Sequence, residues 1–168
     1  MLGLALSKLT DKEWWIEIPP DDPPDARLLR IDQNPGGNII QQYNIEIVDW
    51  ERNVDDIMTV IGKKCERAYS NYLLLVNARS GKLLNFNRVI NEMKTLRSPF
   101  LEVWIVAFIR PGDIKVVRVA PAQPFVDLTR ADFLQARKQR GFAKRGTRST
   151  SSEFEDRGLV FMPIPRGD

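Results

Sequence analysis

Tyr72-Leu73-Leu74-Leu75-Val76-Asn77-Ala78 is the stretch that decides the fold. A strand with one wet face alternates apolar and polar residues, and this run does not. Such a stretch suits a strand buried on both faces, central in a parallel sheet and covered by helices. Both flanks carry helical patterns. Upstream, Val54, Ile57, Met58, Ile61, Cys65 and Ala68 fall on one helical face, predicting a helix over 54–69. Asn53 is its expected N-cap, with Asp55 and Asp56 in the first turn, where the helix dipole favours anions. Downstream, Phe86, Val89, Ile90, Met93 and Leu96 mark a second helix that starts at Asn85 and stops at Ser98-Pro99.

Further out the pattern returns to strands. Leu101 to Ile109 is apolar, Arg110-Pro111-Gly112-Asp113 turns the chain, and Ile114 to Ala120 returns it. On the other side, Ala26–Asp32 and Ile39–Asp49 flank the turn Asn34-Pro35-Gly36-Gly37-Asn38 and predict an antiparallel hairpin. Before it lies the proline-rich acidic stretch Pro19-Pro20-Asp21-Asp22-Pro23-Pro24-Asp25, which excludes a helix interior. Trp14 to Ile18 reads as a short strand or a helix end, and residues 1–12 give no clear signal. The order β-β-α-β-α-β-β, with helices between apolar strands, predicts an α/β fold. Its mixed sheet has about five to six strands flanked by helices, joined through right-handed crossovers.

The charge is unevenly placed. The net charge is +3. Between Phe125 and Arg148 stand seven basic residues, Arg130, Arg137, Lys138, Arg140, Lys144, Arg145 and Arg148, against Asp127 and Asp132. That segment carries +5, so the rest sums to −2. The chain therefore divides into an α/β domain over 1–125 and a basic C-terminal extension over 126–168 that is not an independent domain. The extension is predicted to hold a helix capped by Thr129, then a polar stretch, then the apolar Gly158–Ile164, which suits docking on the domain or on a second copy. Arg137, Lys138, Arg140, Lys144, Arg145 and Arg148 are its candidate nucleic-acid contacts, since clustered cations bind phosphates.

Composition narrows the chemistry. There is no histidine and only one cysteine, Cys65. His-based nucleophile activation, His-ligated zinc and an intrachain disulfide are excluded. What remains is carboxylates, Lys, Arg, Tyr, Ser and Thr, with a hard cation such as Mg²⁺ held by oxygen. Cys65 lies on the buried helical stripe and reads as a small core hydrophobe. No stretch is long and apolar enough for a membrane span, and a cytoplasmic location is expected.

Over residues 20–120 the chain resembles the PD-(D/E)xK restriction-endonuclease-like family. Pro24-Asp25 precedes the first hairpin strand, Glu46 follows in the second, and a helix and an apolar strand come next. The resemblance implies an α-β-β-β-α-β core, with Asp25 and Glu46 binding Mg²⁺ and a lysine two residues past the glutamate polarising water. Here Val48 stands at that position, and the motif reads Glu46-Ile47-Val48. Lys63 and Lys64 on the following helix are the replacements the family pattern implies as catalytic. At ~1.5 Å per residue they sit roughly a dozen Å along the axis from the helix start, a long reach to Glu46. Asp49 and Glu51 are further acids nearby. Two readings stay open: Mg²⁺-dependent phosphodiester hydrolysis of DNA or RNA, and a catalytically inactive module on the same scaffold. The inactive module would bind nucleic acid or a partner, including a second copy through the C-terminal segment.

Overall fold

The computed structural model describes residues 1–20, 23–35, 37–67, 70–110, 113–139 and 159–161. In chain order the elements are α1 (Leu2–Thr10), β1 (Trp14–Glu17), β2 (Ala26–Asn34), β3 (Gly37–Trp50), α2 (Ile57–Cys65) and β4 (Tyr72–Ala78). Then come α3 (Phe86–Met93), β5 (Glu102–Arg110), β6 (Asp113–Ala120), β7 (Ala122–Leu128), α4 (Arg130–Gln139) and β8 (Leu159–Phe161).

The strands join in a single curled, mixed sheet in the order β1-β2-β3-β4-β5-β6-β7. The parallel pairs β3–β4 and β4–β5 sit at its centre, as the unbroken apolar run of β4 predicts, and antiparallel strands extend it on both sides. The strand number exceeds the expected five to six. β1, which pairs with β2, makes the sixth, and the excess comes from β7, which pairs with β6, and from the short β8. β7 was hidden by Pro121 and Pro124, which interrupt the strand pattern after Ala120. A proline is tolerated on an edge strand, where its missing N–H faces no partner. β7 runs across residues 125 and 126, and the main chain of Leu159–Phe161 lies parallel to Asn38–Ile40 of β3.

Each face of the sheet has its own cover. On one face α1 places Leu2, Ala5 and Leu6 against Trp14, Ala26, Leu28, Ile45, Leu73 and Trp104, together with Val116, Val126 and Leu128. These residues come from both ends of the strand order, so the sheet curls around α1. On the other face Ile57, Val60 and Ile61 of α2 and Val89 and Met93 of α3 cover Trp50, Leu74, Val76, Val103, Ile105, Val117 and Val119. The result is three layers, helix–sheet–helices.

Two local differences from the sequence reading have physical causes. The second helix begins at Ile57, not Val54, and its cap is Asp56, not Asn53. In a helix started at 54 the Met58 amide would bond to the Val54 carbonyl. Instead it donates to the Asp56 carboxylate, and the Val54 carbonyl accepts from the Trp50 indole and from Lys82 Nζ. The third helix keeps its expected cap, since Asn85 Oδ1 accepts from the Arg88 amide. In α4 the Thr129 amide and hydroxyl both donate to Asp132, which also pairs with Lys8 of α1. This lashes the start of the extension to the N-terminal helix.

Candidate active site

β2 and β3 pair from Asn34 opposite Gly37 to Ala26 opposite Ile45. Asp25 and Glu46 each lie one residue beyond that last pair. Successive side chains alternate faces, so both carboxylates fall on the face opposite Ala26 and Ile45, which are buried under α1. Asp25 Oδ2 accepts the Ile47 amide at 2.6 Å, which fixes its carboxylate against the peptide just after Glu46. Glu46 is only 5% exposed, one of two polar or charged residues counted as buried among the described residues.

Lys64 supplies the partner that buries so well. Its Nζ donates to Glu46 Oε1. The reach that looked long from the sequence is short because the connection between the parallel strands β3 and β4 runs the helix back along the strand. Glu46 lies four residues before the end of β3, about 13 Å at ~3.3 Å per residue. Lys64 lies eight residues past the Asp56 cap, about 12 Å at ~1.5 Å per residue. The two excursions cancel, and the ammonium arrives beside the carboxylate. Lys63, one residue and about 100° round the helix, is exposed and has no ion-pair partner among the described residues. Val48, where the family pattern has its lysine, packs against the core under α2. Asp49 has odd spacing from Glu46 and so lies on the other face, where it bonds to Asn77 and Arg79. Glu51 is exposed beyond the strand end.

Residues that the sequence reading passed over line the same face. Arg27 stands two residues along β2 from Asp25, opposite Asn44 of β3 and Glu17 of β1. Its Nη1 meets Glu17 at 3.4 Å, and Asn44 accepts from Gln42. The period of two from Asp25 and Glu46 was the signal that could have found Arg27 and Asn44.

A divalent cation of the kind the family uses can be tested against these atoms. Each carboxylate commits one oxygen, Asp25 to an amide and Glu46 to Lys64, and leaves the other without a hydrogen bond to a described residue. Two hard oxygens suit Mg²⁺, which keeps several waters and takes its remaining ligands from substrate phosphate. They do not suit a closed all-protein cage: among the described residues no three Asp, Glu or Cys side chains gather as a metal site. Asp25 and Glu46 are thus the two described carboxylates that stand on one face of β2 and β3 with an oxygen each to offer a hard cation.

Elsewhere, burial pushes the Cys65 thiol up, against a smaller opposing effect of a Ser98 hydrogen bond. It stays protonated near neutrality, which suits packing rather than nucleophilic attack. Among the proposed nucleic-acid contacts, Arg137 and Lys138 fall within α4, with side chains outside the described residues. Arg140, Lys144, Arg145 and Arg148 lie outside the described residues altogether. Among the described residues no helix is long and apolar enough to cross a membrane. No known protein family, no curated protein and no solved structure matches the chain.

Proposed function

We propose that this chain is a Mg²⁺-dependent nuclease that hydrolyses phosphodiester bonds of nucleic acid. The observation that carries the reading is the meeting of Lys64 with Glu46, one residue past the β2–β3 pairing that sets Asp25 opposite. An acid at the mouth of one strand, an acid in the next and a lysine from the following helix supply the residue types of the PD-(D/E)xK pattern, with the lysine displaced from position 48, where Val48 stands. The element order α1-β1-β2-β3-α2-β4 supports it, being the α-β-β-β-α-β order of that family.

Asp25 and Glu46 would hold the cation. When bound, Mg²⁺ neutralises the phosphate and makes a coordinated water more acidic. Lys64 holds the Glu46 carboxylate in place and offers its remaining ammonium protons to orient water and to stabilise developing negative charge. The Ile47 amide fixes Asp25.

The test is incubation of the full chain with plasmid DNA and with RNA in Mg²⁺ or Mn²⁺. Cleavage by the wild-type protein that is lost in Glu46→Ala and Lys64→Ala supports the reading. Absence of cleavage, or cleavage unchanged by Glu46→Ala, overturns it.

A further inference from the structure

We propose that Arg27 is the phosphate clamp of this site, gripping the nucleic-acid backbone beside the bond to be cut. This rests on the reading of Asp25, Glu46 and Lys64 as the reacting centre. Arg27 is the only cation on the strand carrying Asp25 that shares Asp25's face: Arg30, the other basic residue of β2, has odd spacing and stacks over Trp14 on the α1 face. Arg27 sits one pleat repeat from the carboxylates, about 7 Å along the strand. A backbone whose phosphate reaches Asp25 and Glu46 passes over it.

The guanidinium is under-used as it stands. It carries five N–H donors in a planar fork. One nitrogen meets Glu17, at 3.4 Å, the long end of hydrogen bonding. Its Nε is buried and has no hydrogen-bond partner among the described residues. The terminal nitrogens, one of them engaged only by the long Glu17 contact, are the pair that can grip a phosphate in a bidentate manner. The Arg27 side chain is 29% exposed, enough for a phosphate to approach it. Glu17 serves as its resting partner, on edge strand β1, and orients the fork while competing weakly for it.

The experiment measures binding of a fluorescein-labelled single strand and of a duplex of the same sequence. Ca²⁺ replaces Mg²⁺ to suppress cleavage, and KCl is varied. The proteins are full-length wild type, Arg27→Gln, Arg27→Lys and Glu17→Gln, each checked for a wild-type circular dichroism spectrum and melting transition. Loss of one phosphate contact lowers the duplex salt slope by about 0.9. The proposal expects that change for Arg27→Gln, with affinity down about tenfold at low salt. Arg27→Lys should keep the slope and bind more weakly, since an ammonium keeps the charge but not the fork. Glu17→Gln should bind more tightly than wild type. An ion pair with only a structural role predicts matched losses of stability in Arg27→Gln and Glu17→Gln and no change in slope. That result overturns the proposal, as does wild type that binds neither strand. If binding follows Arg27 while no Mg²⁺-dependent cleavage appears, the clamp stands and the catalytic reading falls.

Discussion

Lys64 at the C-terminal end of α2 donates to Glu46 in the middle of β3, where the carboxylate is almost out of contact with solvent. Removing one partner of a buried pair leaves the other charge uncompensated, which costs more than the pair contributes. Lys64→Met alone should lower stability by about 2–3 kcal/mol. The double variant Glu46→Gln, Lys64→Met should recover more than half of that. Urea unfolding of the four proteins in the cycle measures the coupling. Simple additivity would show that the pair does not act as a unit.

Asp25 has a structural and a chemical duty that substitution can separate. Asp25→Asn keeps an oxygen for the Ile47 amide and loses the charge; Asp25→Ala loses both. Asp25→Ala should therefore destabilise by about 1–2 kcal/mol and Asp25→Asn by less. Mg²⁺ at ten times its dissociation constant should stabilise wild type by about 1.4 kcal/mol. For a chain of this size that is a rise of roughly 3–5 °C in melting temperature. The rise should vanish in Asp25→Asn and Glu46→Ala alike. A Mg²⁺-induced shift that persists in both would place the cation elsewhere.

Trp50 fixes where the helix begins. It is 3% exposed, and its indole holds the Val54 carbonyl. Trp50→Phe keeps an aromatic ring and removes the donor, and should cost about 1–2 kcal/mol. Because α2 delivers Lys64, this variant should also lose cleavage in proportion beyond its loss of stability. Unfolding in urea and initial rates well below the transition give the two numbers.

Asp132 links the helix of the extension to α1 and predicts a pH dependence. The Thr129 amide holds its carboxyl below the usual range, with the Thr129 hydroxyl and Lys8 adding to the effect and burial opposing it. A lowered folded-state pKa gives stability that is present above the unfolded value, about 4, and is lost as pH falls through the folded value. Asp132→Asn should cost about 1 kcal/mol at pH 7 and progressively less as pH falls below the unfolded value. Thermal melts at pH 7 and at a pH below that value decide it: an equal deficit at both would show that charge plays no part.

The sequence discloses the centre of this molecule better than its margins. β4 was legible because a largely apolar seven-residue run between two helical patterns suits a strand covered on both faces. The Asn85 cap was legible because its side chain acts locally. Asn53 misled because the rival cap, Asp56, wins through bonds from Trp50 and Lys82 to Val54, and Lys82 lies 28 residues away. α1 stayed unread because its burial depends on strands at both ends of the chain. In the site, Asp25 and Glu46 were visible as a spacing. The choice between Lys63 and Lys64 was not, because it depends on the phase and direction of a helix relative to a strand.

The three groups of the candidate site all come from residues 25–64, a hairpin and one helix, with Lys64 18 positions after Glu46. The clasp that ties α1 to β7 and α4 joins residues 119 to 124 apart, through Lys8 with Asp127 and Asp132. The loop to be closed for the site is thus several-fold shorter than the loop for the clasp, and its entropy cost is correspondingly lower. Loop closure alone thus favours the Glu46–Lys64 contact before the contacts that tie α1 to β7 and α4.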